Sequence, residues 1–475
     1  MQSKRDQVQA YFFVVGRLVS AVVHGKPDTL AQPNRRMNTG TFLGAILGAV
    51  LMGIFGIIGL FVPGGNTSWR QPGAIVMNED TGARYVFLED QLRPVLNYSS
   101  ARLAAGKSGG KVYEVSQDSL EGTPVGQPIG IQGAPDALPS ADALDRGPWT
   151  VCAQPAGDDA QDAGPSATLV IGHPFEMVLT DPQALLVRAP DQTIFLIWQG
   201  QRHRVPGRAE ATALGYGGVD PVDVTAAWLN PIPQGRDFAV PRTPDTGQRG
   251  PEIDGHQSVV GQIYLVSNPA IGTDQLYLVR ADGVAPLSRT TAALLLAASF
   301  TRDAYEGSAV TPIEVGPGAL SGVPQSTSGP DLVGGLPEVP PGIADTGKDA
   351  AACVAFQPLG KGELKVYTGL LPATVHKEAA PVAAHEAGVT ADRVLMPAGG
   401  GVLVRDQSTP ELALNAVYLV TETGMKYPLA NADVASALGF SVDSAVAMSG
   451  ELLGLLPSGP LLSVEGALSA QPAPR

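Results

Sequence analysis

Residues 41–62 read TFLGAILGAVLMGIFGIIGLFV, 22 positions without a charge. At about 1.5 Å per residue a helix of that length spans roughly 33 Å, which matches the hydrocarbon core of a bilayer. Lys4, Arg5, Arg17, Lys26, Arg35 and Arg36 precede it, opposed only by Asp6 and Asp28. That excess of positive charge predicts a cytoplasmic N-terminus and an extracytoplasmic body made of the 413 residues after Val62. A cleaved secretory signal fits less well. The run starts about 40 residues in, exceeds a signal core in length, and is followed by no clean small-x-small site. Within and beside the run, Gly40, Gly44 and Gly48 recur at i, i+4 and i+8. Such a row lets a second helix approach closely, although glycine is also common in membrane helices at large.

Ahead of the span, residues 4–23 carry a helical period. Val8, Tyr11, Phe12, Val15, Leu18, Val19 and Val22 form one apolar stripe. It suits either a headgroup layer, with Lys4, Arg5 and Arg17 facing anionic lipid, or a partner protein. Gly25, Pro27 and Pro33 are expected to end this helix in a short linker. Residues 1–40 therefore read as a cytoplasmic amphipathic helix and basic linker, and 41–62 as the transmembrane helix.

Beyond residue 40 the chain holds 25 Lys+Arg against 43 Asp+Glu, a net charge of −18. Nucleic acid, whose phosphates demand a basic surface, is excluded as a partner. The 57 glycines and 41 prolines indicate turns and short strands in place of long helices. Only two cysteines occur, Cys152 and Cys353, both in the external body. An even pair in an oxidising compartment reads as one disulfide, with two buried thiols as the alternative. Closing a loop of about 200 residues would contribute roughly 5 kcal/mol in the chain-entropy account.

One pattern returns four times outside the span. An aromatic-Leu pair (Phe87-Leu88, Phe195-Leu196, Tyr277-Leu278, Tyr418-Leu419) ends a strand, and a turn follows. A second strand then ends near Pro94, Arg204, Pro286 or Pro428. A small Ala-rich helix comes next. Gly215 and Gly439 stop two of these helices in the manner of a glycine C-cap. Copies two and four also share Pro233-Gln234-Gly235 and Pro457-Ser458-Gly459. The spacing is irregular, which excludes a solenoid. Inserts carrying Cys152 and Cys353 separate copy one from two and copy three from four. The expected fold class is α+β and β-rich: a single N-terminal transmembrane helix plus an elongated external body of four small repeats around a central β domain. Repeat one is expected at 70–140, repeat two at 179–245, repeat three at 258–325 and repeat four at 400–465. The central domain is assembled from two stretches of chain, 141–178 and 345–395. Flexible connections are expected at 155–166, 241–257 and 323–349.

Catalytic constellations are absent from the sequence. Gly106-Lys107-Ser108-Gly109-Gly110 resembles both a nucleophile elbow and the end of a P-loop. An elbow needs a strand before and a helix after, and here the order is reversed. A P-loop needs glycine five residues before Gly106, where Ala101 stands. His376, Glu378, His385 and Glu386 have no zinc spacing, Pro381 interrupts them, and they read as a solvated segment. No catalytic, cofactor-binding or metal residue is nominated.

Several motifs together resemble the EccB family of actinobacterial type VII (ESX) secretion systems. They are Arg5-Asp6-Gln7-Val8-Gln9-Ala10-Tyr11 before a basic linker and one anchor, Pro94-Val95-Leu96-Asn97 with Ser100-Ala101-Arg102-Leu103, and Gly130-Ile131-Gln132-Gly133-Ala134-Pro135-Asp136 with Leu138-Pro139. Trp149-Thr150-Val151-Cys152, Lys426-Tyr427-Pro428-Leu429 and Leu456-Pro457-Ser458-Gly459-Pro460 complete the set. Phe13-Val14-Val15-Gly16-Arg17 departs from it, being less basic than in relatives. The resemblance implies a structural, membrane-embedded subunit of a multimeric inner-membrane secretion complex. Implied partners are the EccC motor ATPase, the channel-like EccD, and EccE. Family members are sometimes labelled ATPases, a label no motif here supports. The competing readings are an external nucleotide or cell-wall hydrolase and a cell-wall-binding ectodomain.

Overall fold

The computed structural model describes residues 4–25, 33–61, 66–106, 110–154, 164–175, 177–347, 349–360, 363–383, 385–387, 389–407 and 417–471. The chain divides into two compact units, residues 1–68 with 115–122, and residues 69–114 with 123–475. In the first unit, helices cover Lys4–His24 and Pro33–Phe61. The second helix starts eight residues before the apolar run, which corrects the expected linker: residues 33–40 are helical. Pro33 opens that helix, where its missing N–H and fixed φ carry no penalty. Among the described residues, the stretch long and apolar enough to cross a membrane is Met37–Ile57. Val62 lies outside the described residues.

The second unit is built on a seven-stranded sheet. Its strand order is Ala380–Pro381, Arg393–Leu395, Ala167–Ile171, Trp149–Ala153, Ala350–Gly360, Glu363–Pro372 and Met177–Val178. Trp149–Ala153 runs antiparallel to Ala350–Gly360 with Cys152 opposite Cys353 and Trp149 opposite Phe356. The two cysteines are bonded across that pair, Cα–Cα 4.1 Å, both 1 % exposed or less. Ala167–Ile171 is buried throughout. Both its faces are covered, and a strand buried on both sides reads as a continuous apolar run.

Four smaller sheets share the strand order third-second-first-fourth, and Gly342–Ile343 adds a further strand beside the first in repeat two. Their first strands are Ile75–Asn78, Gln183–Arg188, Ile263–Asn268 and Gly401–Asp406. In repeats two, three and four the fourth strand lies parallel to the first. The register corrects one assignment. Pro286 faces Tyr277, Pro428 faces Tyr418 and Arg204 faces Phe195, whereas Pro94 faces Tyr85 and not Phe87. The equivalent of the other three aromatics is therefore Tyr85. Tyr85 and Phe87 share one face of the same strand, so the residue pattern cannot separate them. These aromatics are half-buried. The closed core position is the next residue: Val86, Leu196, Leu278 and Leu419 are 2 % exposed or less.

A fifth segment clips onto the third strand of every repeat. Pro124-Val125-Gly126, Pro233-Gln234-Gly235, Pro324-Gln325-Ser326 and Pro457-Ser458-Gly459 each make two backbone hydrogen bonds of 2.8–3.0 Å, to Leu92, Arg202, Val284 and Lys426. Proline suits the first place because only its carbonyl is used. The glycines make room for a large neighbour. A Cβ at Gly235 would lie 2.3 Å from the His203 ring, and one at Gly459 would lie 2.3 Å from the Tyr427 ring. Repeat three has Ala285 at the matching position, and there the clip ends in Ser326.

Each short helix is positioned by its cap. Asn97, Ser288 and Asn431 accept from the backbone N–H three residues on, while repeat two has Gly207. Gly215 and Gly439 are left-handed, with φ +86 and +96, and the residue after each donates back to the helix in the same way.

The repeats share cores in pairs that differ from chain order. Repeat one packs with repeat four: Val86, Leu103 and Ile131 join Leu419, Val434 and Leu438. Arg102 Nε donates to the Ala437 carbonyl, and Gln471 Nε2 donates to that of Gly130. Repeats two and four each turn their other sheet face to the centre, where Leu185, Val187, Val402 and Val404 meet Trp149, Val354 and Phe356. Repeat three reaches repeat two through Leu294. Two of the expected connections are more ordered than their composition suggests. Residues 241–257 include the strand Arg249–Ile253, paired with His256–Val259, so repeat three begins before residue 258. Residues 323–349 include the clip at Pro324 and bonds from Arg280 to the Ser328 and Pro330 carbonyls. Residues 155–163 lie outside the described ones.

Two substitutions test this packing. Replacing Cys152 and Cys353 together by serine should lower unfolding stability by about 2–4 kcal/mol, read by denaturant titration, with far-UV circular dichroism unchanged. Gly459→Ala should cost about 1–3 kcal/mol through overpacking against Tyr427, while Ser326→Ala in the roomier third clip should stay within about 0.5 kcal/mol.

Candidate assembly surfaces

The sequence marks Val8, Tyr11, Phe12, Val15, Leu18, Val19 and Val22 as one face of a helix. The helix Lys4–His24 carries all seven, Val15 half-buried and the other six exposed, from 53 % at Val8 to 80 % at Val22. Phe13, Val14 and Val23 are also exposed apolar residues on this helix. Phe13 and Val14 lie off the stripe, so a period search passes over them. The Arg17 guanidinium stands 5.9 Å from the Phe13 ring centre, a distance at which cation and ring attract. An apolar surface this wide is costly to leave in water alone.

On the spanning helix, a Cβ built at Gly40, Gly44 or Gly48 meets nothing within 4 Å. Phe42, Leu43, Ile46, Leu47, Val50 and Phe55 are exposed around them. The row is therefore open to an atom from another molecule, lipid or helix.

In the second unit the histidine segment is not free in solvent as the sequence suggests. His376 Nδ1 is 2.9 Å from Thr168 Oγ1, and its carbonyl accepts from Arg393 Nε. Burial, with Arg393 nearby, pushes the His376 imidazole below its ordinary range. His385 Nε2 lies 3.4 Å from Asp392, whose other oxygen accepts from the Ala167 N–H. These bonds fasten His376, His385 and Asp392 to the central sheet. Among the described residues no group of three His, Cys, Asp or Glu is placed to hold a metal.

Lys107, Ser108 and Gly109 lie outside the described residues. What surrounds them is a helix, Tyr98–Ala104, and then a strand, Val112–Val115. A Cβ at Gly110 would strike the Gly73 carbonyl at 2.5 Å, which explains the glycine as a packing requirement. A cleft of about 480 Å³ on repeat two is lined by Arg188, Asp191, Arg204 and Arg208, among others. Arg188 is held by Asp220 and Asp223. The Asp191 carboxylate accepts from the Thr193 N–H, which lowers its pKa. This is an ion-paired surface without a nucleophile–base arrangement.

Comparison with known proteins places these surfaces in context. A family model described as type VII secretion system ESX-1, transport TM domain B, matches residues 1–473. A Mycolicibacterium smegmatis protein named ESX-3 secretion system ATPase EccB3 is 30 % identical, covering 99 % of this chain and 91 % of its own. One from Mycobacterium tuberculosis, named ESX-2 secretion system ATPase EccB2, is 29 % identical over 99 % and 95 %. Among solved structures, an EccB3 dimer from the ESX-3 core complex is similar with TM-score 0.68 and 27 % identity, covering 84 % of this chain and all of the other. A chain of an intact ESX-5 inner membrane complex shares the fold with TM-score 0.68 over the full length, at 24 % identity.

The glycine row yields a direct test. Gly44→Ile should leave membrane insertion unchanged and weaken cross-linking of the spanning helix to neighbouring helices several-fold, whereas Leu47→Ile should not. Equal cross-linking for both variants would show that the row makes no helix contact.

Proposed function

The chain belongs to the EccB family of type VII secretion transport proteins, and on that premise we propose that it is a structural subunit of an ESX inner-membrane complex, supporting protein export without chemistry of its own. The observation that carries this reading is the family match over residues 1–473, which takes in the N-terminal helix, the span and the whole body. The exposed apolar faces of Lys4–His24 and Met37–Ile57 are what a membrane subunit offers to its neighbours. The basic residues before the span favour a cytoplasmic N-terminus and an external body. The relative solved as a dimer supports more than one copy per complex. EccC, EccD and EccE are the partners proposed for the two helices.

The relatives' names carry the word ATPase. Three observations argue against carrying that activity over. Ala101 stands where a P-loop needs its first glycine. A net charge of −18 beyond residue 40 repels a nucleotide's phosphates. The external compartment proposed for the body holds little ATP.

Two experiments test the reading. Deleting residues 1–23 should release the protein from complexes purified out of solubilised membranes while the body keeps its thermal transition. A complex that survives the deletion would shift the docking role to the repeats. The purified full-length protein should turn over no ATP above background, and a rate abolished by Lys107→Ala would overturn the structural assignment.

A further inference from the structure

The four clips are held by different side chains, and one of these chains ionises near neutral pH. The position that faces the clip is Arg93, His203, Ala285 or Tyr427 in repeats one to four, each opposite the fully buried core residue of the neighbouring strand. In repeat two the His203 ring is 1 % exposed, lies against Gly235, and sits between Trp198 at 5.9 Å and Phe238 at 5.6 Å. Its Nδ1–H donates to the Arg236 carbonyl at 2.8 Å, which leaves Nε2 as the unprotonated nitrogen. Nε2 is buried and has no hydrogen-bond partner. A second proton would thus place a charge inside the packed ring cluster, a burial cost that exceeds what the Trp198 backbone carbonyl returns.

What His203 holds is a joint. Arg236, whose carbonyl it grips, reaches from the clip of repeat two to the tail of repeat three, donating to the Asp331 carbonyl at 2.7 Å and that of Gly334 at 2.5 Å. Phe238, the ring next to His203, belongs to the core that takes in Leu294 of repeat three and Leu336. We propose that protonation of His203 releases the clip of repeat two and loosens the junction between repeats two and three, while the junction between repeats one and four, latched by Tyr427, stays closed.

The direction follows from the environment. On the clip, Asp237 favours the imidazolium. The strand Ile194–Trp198 presents Trp198 and Leu196, neither charged. Arg202 and Arg204 flank His203 on its own strand, and alternation sends them to the opposite face. Burial outweighs Asp237 and lowers the imidazole's pKa. A base whose folded pKa lies below its unfolded value, about 6.5, stabilises the fold fully above that value and loses the contribution as pH falls through it. The clip is therefore held at pH 7.5 and weakened at pH 5.5.

Hydrogen exchange of the full-length protein in detergent, read by mass spectrometry at pH 7.5 and 5.5 with labelling times scaled for intrinsic rate, tests this. Peptides over residues 233–240 and 331–336 should lose protection by up to about tenfold at pH 5.5, and peptides over 457–462 should not. His203→Tyr, which copies the latch of repeat four, should remove the difference. Equal responses from the two clips, or a pH effect that persists in His203→Tyr, would overturn the proposal. Should that variant misfold, exchange at the His203 ring C2 position in the wild-type protein gives its pKa directly. A value above about 6.5 sinks the idea and a value below it sustains it.

Discussion

The architecture of the second unit turns on one pairing, the antiparallel ladder between Trp149–Ala153 and Ala350–Gly360. Each strand comes from an insert between two repeats, so the ladder brings together segments separated by 201 residues. Its side chains are buried on both faces, which fixes the register strongly, because a slip by one residue would exchange the two buried sets. The disulfide sits inside this ladder on a pair that is already in register. Its contribution is therefore to hold the two inserts together when the ladder opens, more than to choose how they pair.

The repeats need that centre. Each is a small sheet of four strands, joined in repeat two by Gly342–Ile343, with short helices and a clip, too small to close a core by itself. The solution uses the period of the strand. In repeat four, Val402 and Val404 turn toward the centre while Leu403 turns toward repeat one. In repeat two, Leu185 and Val187 face the centre and Ala184 and Leu186 face the helix side. Alternation that leaves one face wet in a free sheet here joins two cores through a sheet one layer thick.

The features of this arrangement that were legible in the sequence are those written as a period or a strong residue preference. The apolar span, the helical stripe from Val8 to Val22, the cysteine inserts and the recurrence of aromatic, proline and Ala-rich helix all carry such signals. The start of the second helix was hidden because Pro33 reads as a breaker and also serves as a first helical residue. Tyr85 was hidden behind Phe87 because both lie on one face of one strand. The hairpin at 249–259 reads RGPEIDGHQSV, and its Pro and Gly mimic a linker. The clip of repeat one carries the same Pro-x-Gly as those of repeats two and four, 30 residues after Pro94, while that of repeat three ends in Ser326 and breaks the pattern. The candidate assembly surfaces were visible as faces. What they meet is not encoded in this chain alone, and the family match over its whole length supplies the class of complex.

The order of shared cores runs one, four, centre, two, three, which is a nesting when set against the chain. Repeats two and three are neighbours in sequence, and the two central inserts bracket them. Repeats one and four bracket those in turn, closed by Gln471 on Gly130. During synthesis such a chain completes itself from the inside outward. Repeat one emerges first, yet Val86, Leu103 and Ile131 stay uncovered until residues 401–468 have followed. The earliest repeat of the body is the last to be finished. A chaperone's longest task on this polypeptide falls on its first repeat, since contacts of the greatest sequence separation form late.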